Sequence, residues 1–435
     1  MTVATLRVPH ARAILAGIAL AFGAAVVILS RGYNFYFDEW YFILAAPNWS
    51  FISFLEPHNE HPAMLHKLLY AALLNTVGLR TYVPYMAVLL AVHATNAVLL
   101  FELVRRRAGE AVALAAAMLL LFLGAGWENI LWAFQVSFDG SVAFGLAALL
   151  VIQRGWIAAA VVLLAASVMC SGVGLFFVVA VAVYLVADPA RRRELLWMAP
   201  LALLIAAWYL ALGRSGTTTN PPPTPANVAV LPAYAAWGIG EAAAGVIGEG
   251  GWWGPPALVA AIGVTAWSWR RQRPDGVALG ATAGLLSFYV VTGLSRAQFG
   301  YEQSGAGRYV YEGAVFWLIL LASAARELPW RGTWRPALAA CLFLACFNSG
   351  ALLFAFGAAK SAQMQREGAD LQALSAARTH ACATARVDAL VMPQVAVPAL
   401  YYRAVGAFGD PAPPGPVTDR ADYDRALANL TSGCS

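Results

Sequence analysis

Residues 82–107 read YVPYMAVLLAVHATNAVLLFELVRRR. The run 82–104 is mostly apolar, and at about 1.5 Å per residue a helix needs about 20 residues to cross bilayer hydrocarbon. Arg105, Arg106 and Arg107 close the run, as arginine clusters close the cytoplasmic ends of membrane helices. This stretch therefore reads as a membrane span whose polarity is marked at its end. Similar runs lie at about 11–30, 110–125, 137–153, 156–170, 173–187, 195–211, 254–269, 277–294, 309–325 and 336–356. The expectation is an all-α, polytopic membrane protein with about 11 transmembrane helices, within a range of 11–13.

Composition agrees. Of 435 residues, 60% are hydrophobic and 12% charged, against about 25% charged in a soluble domain. The formal charge of +5 comes from short arginine clusters between apolar runs. It marks topology rather than a basic face for nucleic acid. The run 11–30 follows Arg7, His10 and Arg12 and has no clear small-residue cleavage site, so it reads as a retained helix. Cys170, Cys341 and Cys346 lie in or beside apolar runs and read as small hydrophobes. Cys382 and Cys434 lie in the polar tail and can pair if that tail is outside the cytoplasm. No CxxC pair supports zinc or redox chemistry.

With the N-terminus in the cytoplasm, the inner loops hold Arg105–Arg107, Arg154, Arg191–Arg193, Arg270–Arg273 and Arg326–Arg335. With Arg7 and Arg12 these make fifteen of the 28 Lys and Arg residues. The outer loops hold six: Arg31, Lys67, Arg80, Arg214, Arg296 and Arg308. The expected location is an inner (plasma) membrane, with the C-terminus and the chemistry exoplasmic. Residues 62–79 are apolar enough to cross, but crossing would put every later arginine cluster on the wrong side. They read as an interfacial or re-entrant helix, with His66 and Lys67 reaching the headgroups. The alternative is a twelfth span with a weak segment such as 156–170 failing to cross. A transmembrane domain of residues 1–356 thus carries exoplasmic loops 31–81, 126–136, 212–253 and 295–308. TTTNPPPTP at 217–225 reads as a rigid linker, and the segment after it as a short surface helix. Residues 357–435 read as a small exoplasmic tail, helical near 360–377, without an obvious core.

Chemistry-bearing residues collect in the outer loops. NFYFDEWYF (34–42) sets Asp38 and Glu39 among aromatic groups beside Trp40. EPHNEHP (56–62) supplies Glu56, His58, Glu60 and His61, and GWENILWAFQV (126–136) places Glu128 between Trp127 and Trp132. A carboxylate at a bilayer margin is costly unless it is paired or working; the alternative is an aromatic belt with incidental acids. The basic side is Lys67, Arg296 and Arg308, the last two bracketing SRAQFGYEQSGAGRY, which ends in Tyr309. Arginine forks suit phosphate, although snorkelling to headgroups is the competing use. SGAGRY is neither a Walker nor a Rossmann motif, so no nucleotide cofactor is expected. Outward acids and phosphate-sized cations at headgroup depth describe a lipid-phosphate substrate: a base for the nucleophile and cations for the leaving phosphate.

The order of these features resembles the GT-C superfamily of polyprenyl-phosphate-sugar-dependent glycosyltransferases. The matching features are a first span, the Asp38–Glu39 pair, HNEHP leading into an apolar helix, the WEN link and a late SGAGRY, together covering roughly 11–325. The resemblance implies a GT-C-type fold and transfer of a monosaccharide from a polyprenyl-phosphate donor to a cell-envelope glycan or lipid acceptor, with inversion. It implies Asp38 as catalytic base with Glu39 beside it, and Glu128 as an acid that binds a divalent cation or the acceptor. His61, Lys67, Arg296, Arg308 and Tyr309 become lipid-phosphate contacts. Trp40, His58, Glu60, Trp127 and Trp132 become sugar or acceptor contacts. If a divalent cation (Mg or Mn) is used, Asp38, His58, His61 and Glu128 are its candidate ligands. Pro62 departs from the pattern, because similar polysaccharide-decorating enzymes often carry arginine there; Lys67 or Arg296 would do that work. Two other classes share parts of this description. A lipid or ion-coupled transporter or flippase would use mid-span polar groups, here His93, Asn96, Gln135 and Asp139. A membrane ligase or acyltransferase would share the topology and the lipid-linked substrate.

Overall fold

The computed structural model describes residues 8–215, 224–325, 333–382 and 397–431. Most of the 217–225 linker lies outside the described residues, as do Arg7, Arg326, Arg331 and Cys434. From the N-terminus, α1 (Ala11–Leu29) is followed by α2 (Glu39–Ala45), α3 (Phe51–Leu55), α4 (Met64–Thr76) and the long α5 (Val83–Ala108). Next come α6 (Glu110–Leu121), the one-turn α7 (Glu128–Leu131), α8 (Val136–Ile152), α9 (Ile157–Cys170), α10 (Gly174–Ala187) and α11 (Ala199–Ala211). The remainder holds α12 (Pro225–Gly245), α13 (Gly254–Arg271), α14 (Gly276–Arg296), α15 (Gly307–Ala325), α16 (Trp334–Ala376), α17 (Pro398–Phe408) and α18 (Arg420–Thr431).

Each apolar run of the sequence folds as a helix, and no β-sheet occurs among the described residues. Seven helical stretches there are long and apolar enough to cross a membrane. Several keep large apolar side chains on the outside: Leu203, Leu204 and Leu210 on α11, and Phe343, Leu344 and Phe347 on α16. Water would not tolerate so much exposed hydrocarbon; lipid does. The chain is an all-α, multi-pass membrane protein. Gly109, at φ 87°, makes the sharp joint between α5 and α6 that follows the arginine triplet.

The chain divides into two compact units. Unit 1 comprises Met1–Gly23, Glu56–Ala63 and Leu89–Phe354. At its centre α15 is buried along most of its length against α6, α12, α13 and α14, while α10 lies along α14 and α8 along α9. Small residues permit these close approaches. A side chain at Gly145 would overlap the Phe177 ring, and one at Gly280 would meet the Ala180 carbonyl. The segment expected as a short surface helix is instead the 21-residue α12, with Gly238–Gly245 buried. Its GIGEAAAG stretch is a smooth packing face, with Gly238 against Tyr289, rather than an amphipathic one.

Unit 2 comprises Ala24–Leu55, Met64–Val88 and Ala355–Ser435. Within it α17 packs on α2, and α4 on α2 and α3. Helix α4 has 13 residues, about 20 Å by the helical rise, which is short of the hydrocarbon thickness. The polar tail expected as an appendage contributes a core of its own here: Leu371, Leu374, Tyr401 and Leu430 are fully buried. Leu79 donates its backbone N–H to the Phe408 carbonyl at 2.9 Å. Cys382 is held in a disulfide.

Candidate functional site

In unit 1, residues Glu56–Ala63 form a strap. His58 and His61 exchange backbone hydrogen bonds, each 3.0 Å, around a tight turn in which Asn59 takes φ 51°, a region asparagine tolerates. The turn presents His58 edge-on to Phe134 at 5.4 Å and His61 edge-on to Phe138 at 5.9 Å. Gly172, at the joint before α10, leaves room for the His61 ring: a Cβ there would stand 2.6 Å from Nδ1. Glu60 accepts from Arg296 Nη2 at 2.7 Å, joining the strap to the end of α14. Desolvation holds the His61 imidazole below its ordinary range; Glu60 opposes this, and the nearby Arg296 and Arg308 reinforce it. His61 is therefore neutral at pH 7.

The second pair of this cluster sits at the start of α15. Glu128 accepts from Arg308 Nη1 at 2.9 Å and from the Arg308 backbone N–H at 3.1 Å. One carboxylate thus closes the first turn of α15 and orients a guanidinium. Arg308 lies over the Tyr309 ring at 5.0 Å. Tyr309 itself is buried beside Phe288, and its carbonyl accepts the Tyr289 hydroxyl at 2.9 Å. Trp127 is half-buried next to Gly307, and Trp132 is buried and stacked on Phe134 at 5.7 Å. Arg296 meets its glutamate through Nη2, and Arg308 through Nη1, with a further side-chain hydrogen bond to Tyr309.

Asp38, Glu39, Trp40 and Lys67 belong to unit 2. Asp38 is half-buried at the N-terminal cap of α2, directly after Phe37, whose φ is 50°. Glu39 is fully buried. Its carboxylate accepts from the Tyr70 hydroxyl at 2.6 Å, from the Tyr82 hydroxyl at 3.0 Å and from the Tyr36 backbone N–H at 2.8 Å. Burial pushes the Glu39 carboxyl up to about 7, against the pull of those donors and of Lys360. Gripping Tyr36, Glu39 pins the turn whose strained residue stands beside Asp38. Trp40 is enclosed, its Nε1 donating to the Phe35 carbonyl at 3.1 Å and its ring lying against Tyr401. Lys67 is buried, donating to the Ser53 carbonyl at 2.7 Å near the Phe42 ring.

The fold thus gathers His58, Glu60, His61, Glu128, Arg296 and Arg308 in unit 1, although Glu60 and Arg296 are 236 positions apart in sequence. Of the four candidate metal ligands, Asp38 is in unit 2 and His58, His61 and Glu128 are in unit 1, where the Glu128 oxygens accept from Arg308. Among the described residues no group of three or more His, Cys, Asp or Glu side chains is placed to hold a metal ion. Sequence reasoning missed Tyr70, Tyr82 and Gly172. A tyrosine in an apolar helix carries no signal until its acidic partner is seen. No protein-family model matches the chain, and no curated protein or solved structure matches it.

Proposed function

We propose that the protein is a membrane glycosyltransferase that moves a monosaccharide from a polyprenyl phosphate to a glycan or lipid acceptor on the exoplasmic face. The observation that carries this reading is the convergence in unit 1 of the His58–His61 strap with Arg296 and Arg308. Each guanidinium is oriented by a glutamate, Arg296 by Glu60 and Arg308 by Glu128, and paired arginines suit phosphate oxygens.

In the proposed reaction a carboxylate base takes the proton from an acceptor hydroxyl as that oxygen attacks the anomeric carbon, and Asp38 is the candidate for that base offered by the sequence. The bond from that carbon to the phosphate oxygen breaks on the opposite side, so configuration inverts. The lipid phosphate leaves with the bonding pair, and Arg296 and Arg308 take up its charge. Glu39 orients the turn that carries Asp38, while Glu60 and Glu128 orient the two arginines. His58, the neutral His61, Trp127 and Trp132 line the sugar path.

The test presents purified protein with a short-chain polyprenyl-phosphate sugar and follows released polyprenyl phosphate. Asp38→Asn is expected to lower turnover by about 10²–10⁴-fold, the usual contribution of a positioned base, with the protein still inserted and folded. Undiminished turnover in that variant overturns the assignment of Asp38. No release by the wild type with any sugar donor overturns the function.

A further inference from the structure

Away from this site, unit 1 buries a second group of polar side chains inside its candidate spans. His93 and Asn96 come from α5, Asp139 from α8, Tyr311 and Glu312 from α15, and Asn129 from the adjoining α7; all six have no exposed surface. Their hydrogens can be followed one at a time. His93 Nε2 lies 3.1 Å from the Leu121 carbonyl, which can only accept, so Nε2 carries the ring hydrogen. Nδ1 is 2.9 Å from the Tyr311 hydroxyl. That hydroxyl has one hydrogen for two acceptors, His93 and the Asp139 carboxylate. Asn96 Nδ2 gives to the Asp139 carbonyl and to the Tyr311 oxygen, each at 3.1 Å. Asn129 Nδ2 gives to Asp139 Oδ1 at 2.8 Å.

The donors of His93, Tyr311 and Asn96 are then spent, and acceptors remain. Asp139 Oδ2, both Glu312 oxygens, Asn96 Oδ1 and Asn129 Oδ1 are buried without a hydrogen-bond partner. His93 Nδ1, at 3.9 Å from Asp139 Oδ2, is too distant to supply one. Glu312 is near enough to Asp139 for the two charges to interact. Among the described residues, the surrounding elements show no positive charge acting on this pair. Ser167 and Ser171 on the α9 side are engaged with Ser141, and α6 offers the Leu121 carbonyl. Tyr289 of α14 interacts with Glu312 and with Glu241 of α12, a further acid, while α13 buries only Gly254, Ala261 and Ser268.

Two carboxyl groups and two amide oxygens, enclosed in a membrane domain with a shortage of donors, call for a positive guest. We propose that Asp139 and Glu312, with Asn96 and Asn129, form an intramembrane site for one small monovalent cation, a proton or Na⁺. The site is independent of glycosyl transfer: its residues are none of those assigned to the sugar phosphate.

The experiment uses the full-length protein in detergent and has two arms. In the first, the melting midpoint is followed as NaCl replaces choline chloride at constant ionic strength. In the second, infrared spectra in H₂O and D₂O are searched for the C=O stretch of a buried protonated carboxyl group. If the guest is Na⁺, the midpoint climbs with each decade of Na⁺, and Glu312→Gln or Asp139→Asn abolishes the dependence. If it is a proton, Na⁺ has no effect, and the carboxyl band is present in the wild type and lost in those variants. Should one variant fail to fold, the other and Asn96→Ala serve, and Glu39→Gln identifies the part of the band that belongs to Glu39. A Na⁺-independent midpoint together with a carboxyl band that Glu312→Gln and Asp139→Asn leave unchanged overturns the proposal.

Discussion

Glu39 illustrates how one side chain can be both a liability and a fixture. Its carboxyl sits without solvent among Tyr36, Tyr70 and Tyr82, and its folded-state pKa of about 7 lies above the ordinary 4.5. Below pH 4.5 both the folded and the unfolded chain hold this proton. Between 4.5 and 7 the unfolded chain releases it first, so stability falls as pH rises through that window and levels off above it. The size is about 3 kcal/mol at about 1.4 kcal/mol per unit. Melting curves in detergent from pH 4 to 8 should show this decline in the wild type and lose it in Glu39→Gln; an equal decline in the variant would assign it to other groups. The acidic pair was legible in NFYFDEWYF because two carboxylates among aromatic residues are conspicuous. The unequal fates of its members, Asp38 half-buried and Glu39 enclosed, were not. That difference depends on Tyr70 and Tyr82, which lie 31 and 43 positions away. Glu312 escaped notice for a related reason: one acid in the run 309–325 does not disturb its apolar average.

Among the elements, α15 depends most on a residue outside itself. Glu128 meets both its first-turn backbone and its Arg308 guanidinium. With side chains 28% and 14% exposed, this pair is far enough from water that Glu128→Gln should cost about 1–3 kcal/mol. The Glu60–Arg296 pair has its acid 39% exposed, so Glu60→Gln should cost at most about 1 kcal/mol. Thermal midpoints of the two variants should therefore differ clearly, and equal losses would show that capping of α15 contributes little. The long apolar helices were readable from apolar length, because lipid imposes that pattern locally along the chain. Helix α12 was not readable in that way. A run of Gly and Ala has too little hydropathy to announce a buried helix, and its role comes from how near Tyr289 and Val310 it can lie.

For the whole molecule, the arginine distribution proposes a direction of insertion, and exposed positions can report it. Arg192 and Trp252 are both open to their surroundings, and the topology drawn from the sequence puts them on opposite sides. In intact cells a membrane-impermeant maleimide should label Trp252→Cys and spare Arg192→Cys until the membrane is opened; the reverse pattern would invert the topology. The apolar residues of the tail are too thinly spaced to announce a core in the sequence, and in unit 2 they are grouped with segments from Ala24–Leu55 and Met64–Val88. Unit 2 draws on Ala24–Leu55, Met64–Val88 and Ala355–Ser435, so a ribosome delivers Trp40 long before Tyr401. Until the segment around Tyr401 is made, the loop bearing Asp38 must wait with the Trp40 ring uncovered on that side. A stop codon just before Tyr401 would therefore do its damage about 360 positions upstream, around Trp40.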